Sequence, residues 1–230
     1  VTLTVQTSPS GVGSTIPPAG TYEYGQGETA YLRAESGAGV LFIHWTGDAS
    51  GAEPTVSVLM DGDKTVTAVF FNIYLVDDDS AAVTPDGRTW GTAYPDIQSA
   101  VDAAASAGGG EIWVAEGSYA ALSDPVVTMA EGVDIYGGFV GTETERDQRD
   151  WETHSATLDG QGIRRCVIGA NDALLDGVTL ANGYADKGGG LYNNNASPTI
   201  AHCTFLNNRA YDSEGDRKST RLNSSHVSQS

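Results

Sequence analysis

Between Gln161 and Ala210 the chain repeats its apolar pattern every 25 residues, and this period constrains the fold more than any other feature. QGIRRCVIGANDALLDGVTLANGYA (161–185) lies over DKGGGLYNNNASPTIAHCTFLNNRA (186–210) without a gap. The alignment sets Cys166 against Leu191, Leu175 against Ile200, Val178 against Cys203 and Leu180 against Phe205. Few residues are identical; what recurs is the apolar pattern and an Asn after it, Asn182 and then Asn207. A unit of this size cannot bury its apolar face alone, whereas stacked neighbours bury a continuous core. The period therefore predicts coils at 161–185 and 186–210, with strands about 4.8 Å apart and Asn182 and Asn207 in an amide ladder at a turn.

Upstream, PDIQSAVDAAASAGGG is the one stretch with helical spacing: Ile97, Ala100, Val101 and Ala104 fall on one face. Pro95 lies in its first turn and Gly108 to Gly110 end it. EIWVAEGSY reads as one strand and VVTMAEGVDIYGGF as two more. Residues 1–71 carry a different pattern, in which VTLTVQT, ETAYLRA, VLFIHW, TVSVLM and KTVTAVF are separated by turn-forming SPSGVG, PPAG, YGQG, TGDASG and MDGDK. These five short strands predict a small antiparallel sheet, with Phe42 and Trp45 in its core and Asp61 and Asp63 flanking a hairpin glycine.

The 29 glycines fit a turn-rich all-β chain. A formal charge of −18 with no Lys/Arg cluster argues against nucleic acid and anionic membranes as partners. No apolar run reaches the roughly 20 residues of a membrane-spanning helix. Cys166 and Cys203 sit within apolar strand patterns and read as small buried hydrophobes. Asp216–His226, DRKSTRLNSSH, is word for word the translation of a common sequencing adapter, so 216–230 are expected to be extraneous and Gly215 the last natural residue. Without that tail, which sets Asp216 against Arg217, Lys218 and Arg221, the charge becomes −20. Val1 falls inside an alternating apolar pattern, so a leader is expected upstream.

Two resemblances follow. The order LTV-x-TSPSG, PPAGTYEYGQGETAYLRA, FIHWTGDASG and VSVLMDGDKTVTAVF resembles the divergent bacterial repeat module of internalin-like surface proteins, with a departure at Val40–Ile43. That resemblance implies a spacer or adhesion-stalk role and no catalysis. YLVDDDS, DGRTWGTAYPDIQSAVDAA, EIWVAEGSY, GVDIYGGFVGTETERDQRDW, TLDG, LLDGVTLANG and GGGLYNNNASPTIAHCTFLNN together resemble the surface-protein branch of the pectin-lyase-like right-handed β-helix family. GGGL followed by FLNN is also similar to the repeat of polymorphic outer-membrane proteins and autotransporter passengers. The resemblance implies that the short helix caps the first coil and protects its edge. The expected fold class is thus all-β: a small antiparallel β module (1–71), then a truncated right-handed parallel β-helix (72–215) with a short N-terminal capping helix.

Many β-helices cleave acidic polysaccharides, which requires a calcium-binding carboxylate cluster and a base, or paired Asp residues, on stacked strands. The repeat instead places Asp172 over Ser197, Asp176 over Ala201, and Arg164 and Arg165 over Gly189 and Gly190. Motifs of the G-x-S-x-G, H-E-x-x-H and Walker types are missing, and His44, His154 and His202 show no ligand spacing. No catalytic or cofactor-binding residue is assigned. Calcium is the one possible cofactor, with Asp77, Asp78, Asp79 and Asp86 as weak candidates against the alternative of a solvated loop. The expectation is an extracellular or cell-surface bacterial modular protein with a non-catalytic adhesion, stalk or glycan-binding role, whose partners are surface glycans or proteins. The alternative is a polysaccharide lyase or glycoside hydrolase whose catalytic coils lie downstream.

Overall fold

The computed structural model describes residues 1–211. The adapter-like segment 216–230 lies outside the described residues. The chain is mostly β, with one α-helix among the described residues, and divides into two compact units, Val1–Asn72 and Ile73 onward. No helix among the described residues is long and apolar enough to cross a membrane.

The first unit contains β1 (Thr2–Ser8), β2 (Ser14–Ile16), β3 (Gly20–Glu23), β4 (Thr29–Glu35), β5 (Val40–Gly47), β6 (Thr55–Leu59) and the Lys64–Asn72 part of β7 (Lys64–Val76). β2, β4 and β6 form one antiparallel sheet; β3, β1, β7 and β5 pair in that order in another. The expected five-stranded antiparallel sheet is therefore corrected to seven strands in two sheets, with β1 and β7 parallel. The two further strands, β2 and β3, lie in the short segments between the expected turns SPSGVG, PPAG and YGQG. Period-two alternation, clearest in β4 where Ala30, Leu32 and Ala34 are buried, points apolar side chains inward. Phe42 and Trp45 are in the core as expected, 5.4 Å apart, and the Trp45 indole donates to the Glu53 carbonyl at 3.1 Å. Gly47 has φ 91° and lies so close to the Thr65 carbonyl oxygen that a Cβ would collide with it.

In the second unit, the helix α1 (Ile97–Ser106) is capped by Asp96, whose carboxylate accepts from the Ser99 N–H at 2.8 Å. Its buried residues are Ile97, Ala100, Val101 and Ala104, the four that the spacing picks out. The remaining strands all pair in parallel. The first ladder runs from Ile73–Val76 of β7 through β8 (Gly110–Ala115), β11 (Val133–Phe139), β14 (Leu174–Asp176) and β18 (Thr199–Ala201). The second comprises β9 (Gly117–Tyr119), β12 (Ala156–Asp159), β15 (Val178–Ala181) and β19 (Thr204–Leu206). The third is β10 (Val127–Thr128), β13 (Val167–Ile168) and β17 (Leu191–Tyr192), and a short fourth pairs β16 (Tyr184–Ala185) with β20 (Arg209–Ala210).

The chain visits the first three ladders in turn, so each core side chain packs on its counterparts one circuit away. Ile112, Ile135, Leu175 and Ile200 form one row, Tyr119, Leu158, Leu180 and Phe205 a second, and Val127, Val167 and Leu191 a third. The 25-residue register holds in the first and second ladders, where Leu175 meets Ile200 and Leu180 meets Phe205. It fails in the third: Leu191 pairs with Val167 rather than Cys166, one residue short of the repeat, and the chain recovers the register between Tyr192 and Thr199. The amide ladder also takes another form. Asn182 and Asn207 both adopt left-handed φ values of 53° and 54°, but the Asn182 amide donates to Asp159 at 2.9 Å. Asn208 makes the next link between circuits: its amide accepts from the Gly183 N–H at 2.7 Å and donates to the Leu180 carbonyl at 2.8 Å.

Candidate functional site

On the outward side of the first ladder, Trp113, Tyr136 and Asp176 stand in register on β8, β11 and β14. Between β11 and β12 the chain inserts a strap, residues 140–155, that lies against this row. Glu143 fixes the start of the strap: its carboxylate accepts from the N–H groups of Val140, Gly141 and Thr142 at 2.7, 3.0 and 2.9 Å. Burial opposes ionisation of Glu143, but these donors outweigh it and hold the carboxyl below the usual Glu range. The Trp90 indole donates to the Glu143 carbonyl at 2.9 Å, and Trp113 stacks on Phe139 with ring centroids 4.9 Å apart.

Two arginines of the strap answer two buried acids. Arg146 reaches Glu111 at 2.6 Å and the Tyr136 hydroxyl at 3.1 Å, while the Trp113 indole donates to the other Glu111 oxygen at 2.9 Å. Burial pushes the Glu111 carboxyl above its ordinary range, and the Trp113 and Arg146 contacts offset only part of that. Burial likewise pushes Asp134 up, and the Tyr136 phenol up to about 12.

Arg149 donates from Nη2 to Asp176 Oδ2 at 2.7 Å and from Nη1 to the Gly137 carbonyl at 3.1 Å. The second oxygen of Asp176 meets His202 Nδ1 at 2.7 Å. Arg149 lies over the rings of Tyr136 and Trp151 at 5.0 and 4.7 Å, and Trp151 packs on His202 at 4.4 Å. Tyr136, Arg149, Trp151 and His202 thus make a run of planar groups that is buried at Tyr136 and half-exposed at His202. His202 occupies the bend between β18 and β19 with φ 47°. One circuit earlier the same bend is Gly177, where a Cβ would come within 2.9 Å of Arg149 Nη1 and of the Trp151 Cβ. The strap therefore demands glycine at that bend and leaves room for a side chain at the next. An imidazole held this way can accept a proton or meet an electrophile.

Of the acids proposed from sequence as calcium candidates (Asp77, Asp78, Asp79 and Asp86), Asp77 and Asp86 serve turns and Asp78 ties its loop to β9. Asp77 accepts from the Asp79 N–H at 3.0 Å, and Asp78 from the Ser118 N–H at 2.9 Å. Asp86 accepts from the Thr92 hydroxyl at 2.6 Å and the Arg88 N–H at 3.0 Å, which hold its carboxyl below the ordinary range. Among the described residues no three His, Cys, Asp or Glu side chains group closely enough to hold a metal ion. Asp61 pairs with Lys64 at 2.7 Å and Asp63 accepts from the Thr2 N–H at 2.7 Å. Cys166 and Cys203 are buried free thiols, pushed up by burial to about 12 and about 11. Arg165 is a clamp whose guanidinium donates to the Lys187 and Gly188 carbonyls. His154 pairs with Glu116 at 2.8 Å.

Sequence reasoning found Asp176 and His202 separately and did not join them. Arg149 lies outside the repeat, and the repeat aligns Asp176 with Ala201, so the neighbouring bend residue gave no signal.

Compared with known proteins, residues 1–73 match the family model of the divergent InlB B-repeat domain. No curated protein matches the chain, and no solved structure does.

Proposed function

We infer that this chain is part of a secreted or cell-surface bacterial protein, in which residues 1–73 act as a stalk or spacer and the following unit is a right-handed parallel β-helix that binds surface glycans or proteins without catalysing their cleavage. The match of residues 1–73 to the InlB B-repeat model carries the surface assignment. The β-helix reading is supported by three parallel ladders visited in turn, with like-sized side chains stacked inside. Right-handedness follows the strong preference of parallel crossover connections. The non-catalytic reading is supported by the outward acids of the first ladder being satisfied internally: Glu111 and Asp176 each pair with an arginine of the strap, and Asp134, in register beside Glu111, accepts from the Leu174 N–H. Two measurements test it together: retention of the purified chain on a glycan array or on immobilised bacterial and host surface proteins, and release of unsaturated products from polygalacturonate with calcium. Retention without product is the expected result. Product formation, or no retention on any surface, overturns it.

A further inference from the structure

The exposed end of the planar run has the chemistry of an activated imidazole. An ionised carboxylate can only accept, so with Asp176 Oδ1 at 2.7 Å the hydrogen of neutral His202 lies on Nδ1 and the lone pair on Nε2. Nε2 has no hydrogen-bond partner among the described residues, and the side chain is 45% exposed. Arg149, 9% exposed like Asp176, fixes the Asp176 carboxylate in place from its other oxygen. Trp151 covers one face of the ring. The backbone at His202 sits at φ 47°, a region that disfavours side chains, although Gly177 fills the equivalent bend. Local strain of this kind persists where the surroundings over-determine a side chain's position, and it clusters at functional sites.

We propose that His202 is a nucleophilic imidazole and that this site accepts acyl groups from small activated esters. The Nε2 lone pair attacks the carbonyl carbon, forming a C–N bond; the ester C–O bond then breaks and the alkoxide or phenolate leaves with its electron pair. The acyl-imidazolium keeps its Nδ1–H on the Asp176 carboxylate, which balances the positive charge. Water adds to the acyl carbon and gives one proton to the phenolate, alkoxide or buffer, the C–N bond breaks with its pair returning to Nε2, and the carboxylic acid leaves. His202 is the catalytic residue; Asp176 and Arg149 are positioning residues. The proposal is independent of the adhesion reading, because retention on a surface needs no imidazole chemistry.

The test uses the full chain with p-nitrophenyl acetate. His202→Asn is the informative variant, because Asn tolerates the left-handed backbone and lacks the nucleophile. Its hydrolysis rate is expected to fall on the order of 100-fold. Asp176→Asn keeps the imidazole but loses the anionic acceptor; the rate falls about 10-fold and its pH profile moves, which a purely structural role would not produce. His154→Asn leaves the rate unchanged. Diethyl pyrocarbonate, whose ethoxycarbonyl-imidazole adduct survives peptide mapping, modifies His202 faster than His44 and His154, and this measurement on the unsubstituted chain decides the matter if His202→Asn fails to fold. A His202→Asn variant that folds and hydrolyses p-nitrophenyl acetate as fast as the parent overturns the proposal, as does modification of His202 no faster than of His44 and His154.

Discussion

Leu180→Ala tests the stacking register in the second unit. Leu180 is fully buried on β15, between Leu158 of β12 and Phe205 of β19. Truncation removes the transfer free energy of the lost methyl and methylene groups, about 2 kcal/mol. The rows above and below are fixed by ladder hydrogen bonds and cannot collapse inward, so a cavity contribution adds to this. The total is about 3 kcal/mol, within the range measured for buried Leu truncations. Leu206 lies one residue beyond Phe205 on β19, is 47% exposed, and on truncation should change stability by about 0.5 kcal/mol or less. Slipping β19 by one residue would exchange the exposed and buried positions, so the pair of variants reads the register directly. Native-state hydrogen exchange at the Val178 and Leu180 amides is the assay, because a chain of two units need not unfold in one step. Protection at these amides should fall in Leu180→Ala and hold in Leu206→Ala, with the Leu32 amide of the first unit as internal reference. Equal effects from the two substitutions would refute the register, and with it the rows of the core.

Arg146 is 45% exposed, so Arg146→Ala, which takes the cation from the buried Glu111, should destabilise the second unit by about 1 to 2 kcal/mol at neutral pH; Glu111→Gln added to it should recover part of the loss in urea melts. Glu143 has a depressed folded-state carboxyl, so its contribution is present above the ordinary Glu pKa and lost as pH falls below it; Glu143→Gln should flatten the acid limb of a stability curve from pH 3 to 7. Glu111 and Asp134 act in the opposite sense: both are raised, so their contribution is greatest in acid and declines as pH rises from the ordinary carboxylate range, and NMR titration of their side chains should show it. Gly47→Ala forces a Cβ onto the Thr65 carbonyl at φ 91° and should destabilise the first unit by about 2 kcal/mol or more; a melt unchanged by the substitution refutes the described bend.

The stacked rows were legible in the sequence only where successive circuits have the same length. From Gln161 onward the 25-residue spacing brings Leu175 to Ile200 and Leu180 to Phe205. Before it, the strap makes the circuit from Ile135 to Leu175 much longer, and no period survives. Cys166 was misaligned because one residue is gained between Tyr192 and Thr199, a shift that apolar matching alone cannot detect. The helix was legible because four apolar residues at helical spacing lie between Pro95 and a run of glycines. In the first unit, β2 and β3 were hidden by their neighbours: Pro17, Pro18 and Gly20 read as turn, yet Ser14–Ile16 and Gly20–Glu23 pair on either side. Arg149 and His202 meet through Asp176, at sequence separations of 27 and 26 residues, and through Trp151, and no local pattern encodes such a meeting.

The strap also bears on how such a chain can change. Each ladder residue is held by the residue directly above or below it, and almost nothing depends on the length of chain between one ladder and the next. Extra sequence between Phe139 and Ala156 therefore leaves Ile135 on Leu175 and Leu158 on Leu180. Insertions at these corners escape the selection that fixes the interior, so new surface chemistry can arise by lengthening a corner while the packed rows go on unaltered. Substitutions tolerated across variants of this chain should accordingly concentrate at strap positions other than Glu143, Arg146, Arg149 and Trp151, and spare the rows beneath.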